Sequence, residues 1–281
     1  MSALRSSLTA VLALVFLLQG CQKAEEHPPF AAACQTNCPL LPVISGANGS
    51  AGGSSIPDSD AGTGTLEGQV FLLTDATFAH GSLYNSGATV SADGANGSPV
   101  TAAWAGVDPF DPFVLDGVAR VATNWLSVQP DQIGGDALPT YQALQTFQIT
   151  SANLYLASAN TLDGIFNAVS TLRSPNSGQV VVFFQSAATR TPLSGLHVSM
   201  TNAQAGIYAT ATGWVLDDGT AVTSQSGLVV FGNVEPTSSG STQLVTVTRA
   251  ATGTTPAAAA GQFPVKVVTG AASIAVFGVQ L

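Results

Sequence analysis

Thr223-Ser-Gln-Ser-Gly227-Leu-Val-Val-Phe231-Gly-Asn233-Val234-Glu-Pro236 joins a hydroxyl-rich turn to a short apolar run and stops it at proline. Leu228 to Phe231 is too short for an ordinary helix, is rich in Val, and is bounded by Gly and Pro, so it reads as a strand. Pro236 closes it because proline cannot donate to a sheet ladder. Working outward, Trp125-Leu-Ser-Val128-Gln-Pro130 is an earlier counterpart of Phe231-Gly-Asn233-Val234-Glu-Pro236. Gly68-Gln69-Val70 returns as Gly178-Gln179-Val180, and Ser86-Gly87-Ala-Thr-Val90-Ser91 returns as Ser194-Gly195-Leu-His-Val198-Ser199. The landmarks keep their order, and their separations differ by about two residues between the copies, as a duplicated unit requires. In each copy Gly-Gln-Val opens a buried strand, Ser-Gly turns the chain, and the large aromatic residue caps or fills the core. The expectation is an all-β fold of two tandem antiparallel β-sandwich modules of prealbumin or immunoglobulin type, at 65–158 and 177–281.

The stretch from Thr223 to Pro236 resembles the hallmark "T-x-x-x-G-x-x-x-F-x-N-V-x-P" of carboxypeptidase regulatory-like domains, which are transthyretin-like sandwiches. Gly178-Gln-Val-Val-Val and Pro192-Leu-Ser-Gly195-Leu-His-Val198 are similar to that family's opening, so the likeness spans Gly178 to Pro236. Thr237 stands where the family has Gly. The resemblance implies a non-catalytic accessory or adhesion role and brings no functional residue with it.

Between the copies, at 159–176, Leu162, Ile165, Phe166, Val169 and Leu172 recur at helical spacing. This predicts a short connecting helix over Asn160 to Leu172, capped by Asn160 or Thr161, that limits how freely the modules swing.

The N-terminus has a different character. Arg5 precedes an uninterrupted apolar run from Ala10 to Leu18, too short to cross a bilayer core of about 30 Å. Such an arrangement describes a secretory signal, residues 1–20. Leu18-Gln19-Gly20-Cys21 resembles the lipobox of bacterial lipoproteins, which implies cleavage before Cys21 and lipidation of its thiol with palmitate-like acyl chains. Those chains hold the product on a membrane, each buried CH₂ contributing about 0.8 kcal/mol. Gln22 after the cysteine implies the outer membrane. Residues 21–64 then lack any sustained period, and Ser45 to Gly64 consists almost wholly of small and polar residues, so a flexible stalk is expected. Cys34 and Cys38 are an even pair outside the cytoplasm and suit a local disulfide; the other reading is a metal site with His27, which would need further ligands.

Only 8% of residues are charged and the formal charge is −9, so with no basic cluster nucleic acid is excluded as a partner. The chain carries no nucleophile elbow, zincin helix, phosphate loop or dinucleotide fingerprint. His27, His80 and His197 are its three histidines. A Ser-His-Asp arrangement would require His80 or His197 to meet a serine and a carboxylate. Asp108, Asp111 and Asp116, with Asp93 nearby, are hard oxygen ligands that could hold calcium, although Asp-Pro pairs also start turns. Asp217-Asp218-Gly219 reads as a hairpin turn. Exposed Trp104, Tyr155 or Trp214 could stack on sugars, or pack in the core. The function expected is that of a non-enzymatic, cofactor-free surface lipoprotein binding a protein or envelope component, with a carbohydrate-binding module as the alternative and a hydrolase behind both.

Overall fold

The computed structural model describes residues 62–78, 81–95, 97–106, 111–121, 123–132, 134–144, 146, 150–238, 241–251 and 257–280. Their strands in the first half are β1 (Thr63–Gly68), β2 (Val70–Leu73), β3 (Gly81–Leu83), β4 (Ala88–Asp93), β5 (Pro99–Trp104), β6 (Phe113–Ala119), β7 (Asn124–Pro130), β8 (Ala137–Leu138), β9 (Thr140–Leu144) and β10 (Leu154–Ser158). A helix α1 (Ala159–Ala168) leads to β11 (Gly178–Ser186), β12 (Leu196–Met200), β13 (Ala205–Thr210), β14 (Gly213–Leu216), β15 (Leu228–Val234), β16 (Ser241–Arg249), β17 (Ala258–Val267) and β18 (Ala272–Val279). The fold is all-β, as the β-branched runs require.

Nine strands form one sheet through both halves, in the order β14-β13-β15-β11-β18-β9-β7-β4-β5. The others form sheets β12-β16-β17, β3-β2-β10-β8 and β1-β6. Most pairs are antiparallel, but β2 with β10, β11 with β18, and β9 with β18 run parallel. β2 thus lies beside β10, the last strand of the first half, as β11 lies beside β18, and β9 joins the halves by adding to β18 (Thr140↔Ala272 to Gln142↔Ile274).

The halves share one pairing scheme. Sheet order β4-β7-β9 repeats as β12-β16-β17, with Val90↔Val128 answering Val198↔Val247. Gly87 accepts a backbone bond from Asp131, and Gly195 accepts one from Ala250, so the Ser-Gly landmark is correctly aligned. The other two are not. Gly64↔Val118 then Leu66↔Leu115, across a bulge, match Gly178↔Val234 then Val180↔Phe231. Gly64, not Gly68, thus stands where Gly178 does, and the counterpart of Phe231 is Leu115 rather than Trp125. Trp125 lies on a strand equivalent to β16. A shared Val and Pro spacing misaligned the sequences because both strands end in the same chemistry.

Burial follows position in the sheets. β11 reads Val-Val-Val-Phe-Phe without alternation because both its faces are covered. Val180, Val182 and Phe184 join Val198, Val247, Phe263, Val265 and Phe277 in the core between the large sheet and β12-β16-β17. Phe263 and Phe277 stack there with centroids 4.6 Å apart; each fully buried Phe stabilises the fold by roughly 1.5–3 kcal/mol. On the opposite face Val181, Phe183, Val230 and Ile274 meet Leu162, Ile165 and Phe166 of α1, and Phe71, Leu73 and Tyr155 of the first half. A third core, with Leu66, Val90, Trp104, Phe113, Leu126 and Leu154, fills the first half.

The helix is shorter than its apolar period. Ser158, not Asn160 or Thr161, caps it: its Oγ accepts from Thr161 N–H at 3.0 Å and donates to Asp136 at 2.8 Å. It stops because Ser170 takes a left-handed φ of 56°. Thr171 N–H then bonds Phe166 C=O and Ser170 N–H bonds Asn167 C=O, which is Schellman closure. Leu172 lies beyond the helix and is 79% exposed.

Candidate ligand-binding face

Strict alternation along β4 and β7 sends Ala88, Val90, Ala92, Leu126 and Val128 into the first core. The residues between them point the other way; β17 meets that side at Tyr141 through Lys266, and Trp125 borders the second-half core there, while toward β5 the side is exposed. Directly paired residues share a face. Register therefore places Thr101 of β5, Ser91 of β4, Ser127 of β7 and Tyr141 of β9 in one transverse row. Thr89 and Gln129 form a pair beside the row, and Trp125 flanks its other side opposite Ala143. At roughly 4.8 Å per strand the row extends about 14 Å.

Thr101, Thr89 and Gln129 are exposed; Ser91, Ser127, Trp125 and Tyr141 are half-buried. Among the described residues, no protein group hydrogen-bonds the hydroxyls of Thr101, Ser91, Ser127 or Tyr141. Lys266 of β17 reaches over the Tyr141 ring, its Nζ 4.9 Å from the centroid, and Ser273 Oγ donates to the Lys266 carbonyl. Burial raises the Tyr141 phenol above its ordinary pKa. It therefore stays a neutral donor and acceptor across the physiological range. The Lys266 ammonium and the exposed carboxylates of Asp93 and Asp131 border the face.

This face was not legible as such. Trp125 was expected to cap or fill a core; alternation gives the inward positions of β7 to Leu126 and Val128, and the indole lies on the other side, against the border of the second-half core. The aromatic residues for which either stacking on sugars or core packing was open lie elsewhere. Trp104 is 1% exposed and donates its Nε1–H to Tyr84 C=O at 2.9 Å. Tyr155 is buried beside Phe71, and Trp214 packs part-buried against the core under α1. The signal that could have found the face was the polar–apolar alternation of both strands taken together.

The remaining candidates are separate. Cys21, Cys34, Cys38, His27, His80 and Asp108 lie outside the described residues. Asp111 and Asp116 are exposed, and Asp116 Oδ1 accepts from Thr65 Oγ at 2.7 Å. No group of three or more His, Cys, Asp or Glu residues positioned to hold a metal ion occurs among the described residues. His197 lies mid-strand on β12 with Nδ1 3.1 Å from the Ala221 carbonyl oxygen. Asp217-Asp218-Gly219 is not a hairpin turn, because β14 pairs with the preceding β13. It forms successive Asx turns, to Gly219 N–H and Thr220 N–H at 2.9 Å each. The Thr220 hydroxyl and N–H hold the Asp218 carboxyl below its usual range.

The family hallmark positions have structural work in this chain. Thr223, 2% exposed, donates to Leu193 C=O and accepts from Leu196 N–H. Gly227 has φ +64°, and a Cβ there would lie 2.3 Å from the Phe184 carbonyl oxygen. Asn233, at φ 53°, holds the segment after α1 through Ser174 and Leu172.

No protein-family description matches the chain, and no curated protein matches it. Among solved structures, a double mutant of the shaft pilin SpaA from Lactobacillus rhamnosus GG is similar over 76% of this chain and 96% of its own, at 11% identity and TM-score 0.21. The same pilin without mutations gives 10% identity, 76% and 97% coverage, and TM-score 0.22. At such scores the likeness carries no argument about this chain.

Proposed function

We propose that the chain is a non-enzymatic surface lipoprotein, anchored through Cys21, that binds a protein or an envelope component through its β-sandwich halves. The binding role rests on one observation, the polar, part-exposed outward face of β5-β4-β7-β9. The anchor is supported by Leu18-Gln19-Gly20-Cys21 after its short apolar run. On this reading residues 21–64 space the folded part from the lipid surface, and Gln22 directs it to the outer membrane. Cys34 and Cys38 close a small loop within the stalk. The bond from His197 to a backbone carbonyl supports a structural use of that imidazole over a hydrolytic one.

The test is the intact mass of the mature protein taken from membranes of its host, beside a Cys21→Ser variant. A chain starting at Cys21 with an added diacylglycerol, and membrane retention lost in the variant, is expected. An unlipidated chain released to the medium overturns the anchor.

A further inference from the structure

We infer that the row of hydroxyls on β5-β4-β7-β9, with Trp125 at its border, is a binding site for an uncharged, hydroxyl-rich polysaccharide chain. The inference rests on the proposed binding role and names its ligand class. Three features carry it.

The groups presented by Thr101, Ser91, Ser127 and Tyr141 both donate and accept, and none is engaged within the described protein. Sugar hydroxyls have the same dual capacity, so a row spaced by strand separation meets successive hydroxyls of an extended glycan. Trp125 offers, beside the row, the part of its indole that is not packed against the second-half core. The C–H face of a pyranose ring lies flat on such a surface and leaves water there.

Charge points the same way. Within a chain of net charge −9, this face is bordered by Asp93, Asp131 and Lys266, and its row is neutral. An anionic polymer finds no cationic field, and the row itself offers a cationic one no carboxylate. A protein partner fits less well, since interface centres are apolar and aromatic. The exposed large hydrophobic side chains among the described residues, Val114, Leu172, Val215, Leu216, Val222 and Leu244, all lie off this face.

The test is affinity electrophoresis of the full mature chain, in detergent, through native gels containing hydroxyethyl cellulose, xylan or dextran, with alginate as the anionic probe. Retardation by at least one neutral polymer is expected. Trp125→Ala should weaken it at least tenfold. Because Trp125 also touches a core, Thr101→Ala serves as the exposed variant: it should weaken binding about two- to tenfold, the scale of one hydrogen bond, with thermal unfolding unchanged. Migration unchanged in all three neutral gels overturns the inference, as does retardation by alginate alone or equal retardation of Thr101→Ala and the parent. Membrane retention and mass of the same preparations report separately on Cys21, so a failed gel with intact lipidation sinks only the glycan site.

Discussion

Tyr208 fastens the two sheets of the second half with one atom. Its hydroxyl donates to Val198 C=O at 2.7 Å and accepts from Val198 N–H at 2.9 Å, so both backbone groups of an edge residue on β12 are satisfied from β13. Tyr208→Phe leaves those groups buried and unpaired, and should lower stability by about 1–3 kcal/mol in urea unfolding. Burial holds this phenol far above its ordinary pKa of 10.0. The fold thus prefers the neutral phenol, and its contribution is whole below that value and declines as pH rises past it. Parent and Tyr208→Phe should therefore converge in stability in strong alkali; a gap that widens there contradicts the assignment. Asn233 is the second such residue. Its side chain accepts from Ser174 N–H at 2.6 Å and donates to Leu172 C=O at 2.9 Å, while its left-handed φ suits Asn better than Ala. Asn233→Ala should destabilise by about 2 kcal/mol or more, and Asn233→Gly by about 1 kcal/mol less, because Gly relieves the backbone but not the lost bonds. The hallmark pattern marked Thr223, Gly227 and Asn233 in the sequence, but not what each holds, since their partners lie as far as 61 residues away.

The helix is set on the large sheet by a close approach. Gly232 of β15 faces Phe166, and a Cβ there would stand 2.2 Å from the ring. Gly232→Ala should displace α1 and reduce stability by about 1–3 kcal/mol, as overpacking does. Phe166→Leu in the same chain should recover part of that loss in a denaturation series; independent, additive losses would mean the two positions do not meet. The apolar period announced this helix, and with it the buried Leu162, Ile165 and Phe166. It could not announce the ends. Ser158 caps because Asp136, from a distant strand connection, orients its hydroxyl, and Ser170 supplies a left-handed stop where glycine is the usual signal.

The halves are joined by more than a connector. β9 continues the second-half sheet through β18, and side chains of β9 bind β10: Thr140 Oγ accepts from Ala157 N–H at 3.1 Å, and Gln142 Oε1 accepts from Tyr155 N–H. The core under α1 draws Phe71, Leu73 and Tyr155 from one half and Val181, Val230 and Ile274 from the other. Cooperative unfolding of residues 65–281 follows. Scanning calorimetry should show one transition, and Ile274→Ala, about 2–5 kcal/mol destabilising at this joint, should move it as a whole. Two transitions, with only one displaced, would restore the picture of independent modules.

Composition and local pattern by themselves determined that the chain is β-rich and where its helix lies, and its first 21 residues resemble an export and lipid-anchoring signal. Those properties depend on residues near one another in sequence: hydrophobic period, β-branching, turn chemistry and a contiguous lipobox-like stretch. Tertiary structure decided that strands of the two halves share one sheet, that Trp125 faces outward while Trp104 and Tyr155 are core, and that four hydroxyls from four strands stand in one row. Each depends on register between distant strands, and a one-residue change of register sends a side chain to the opposite face.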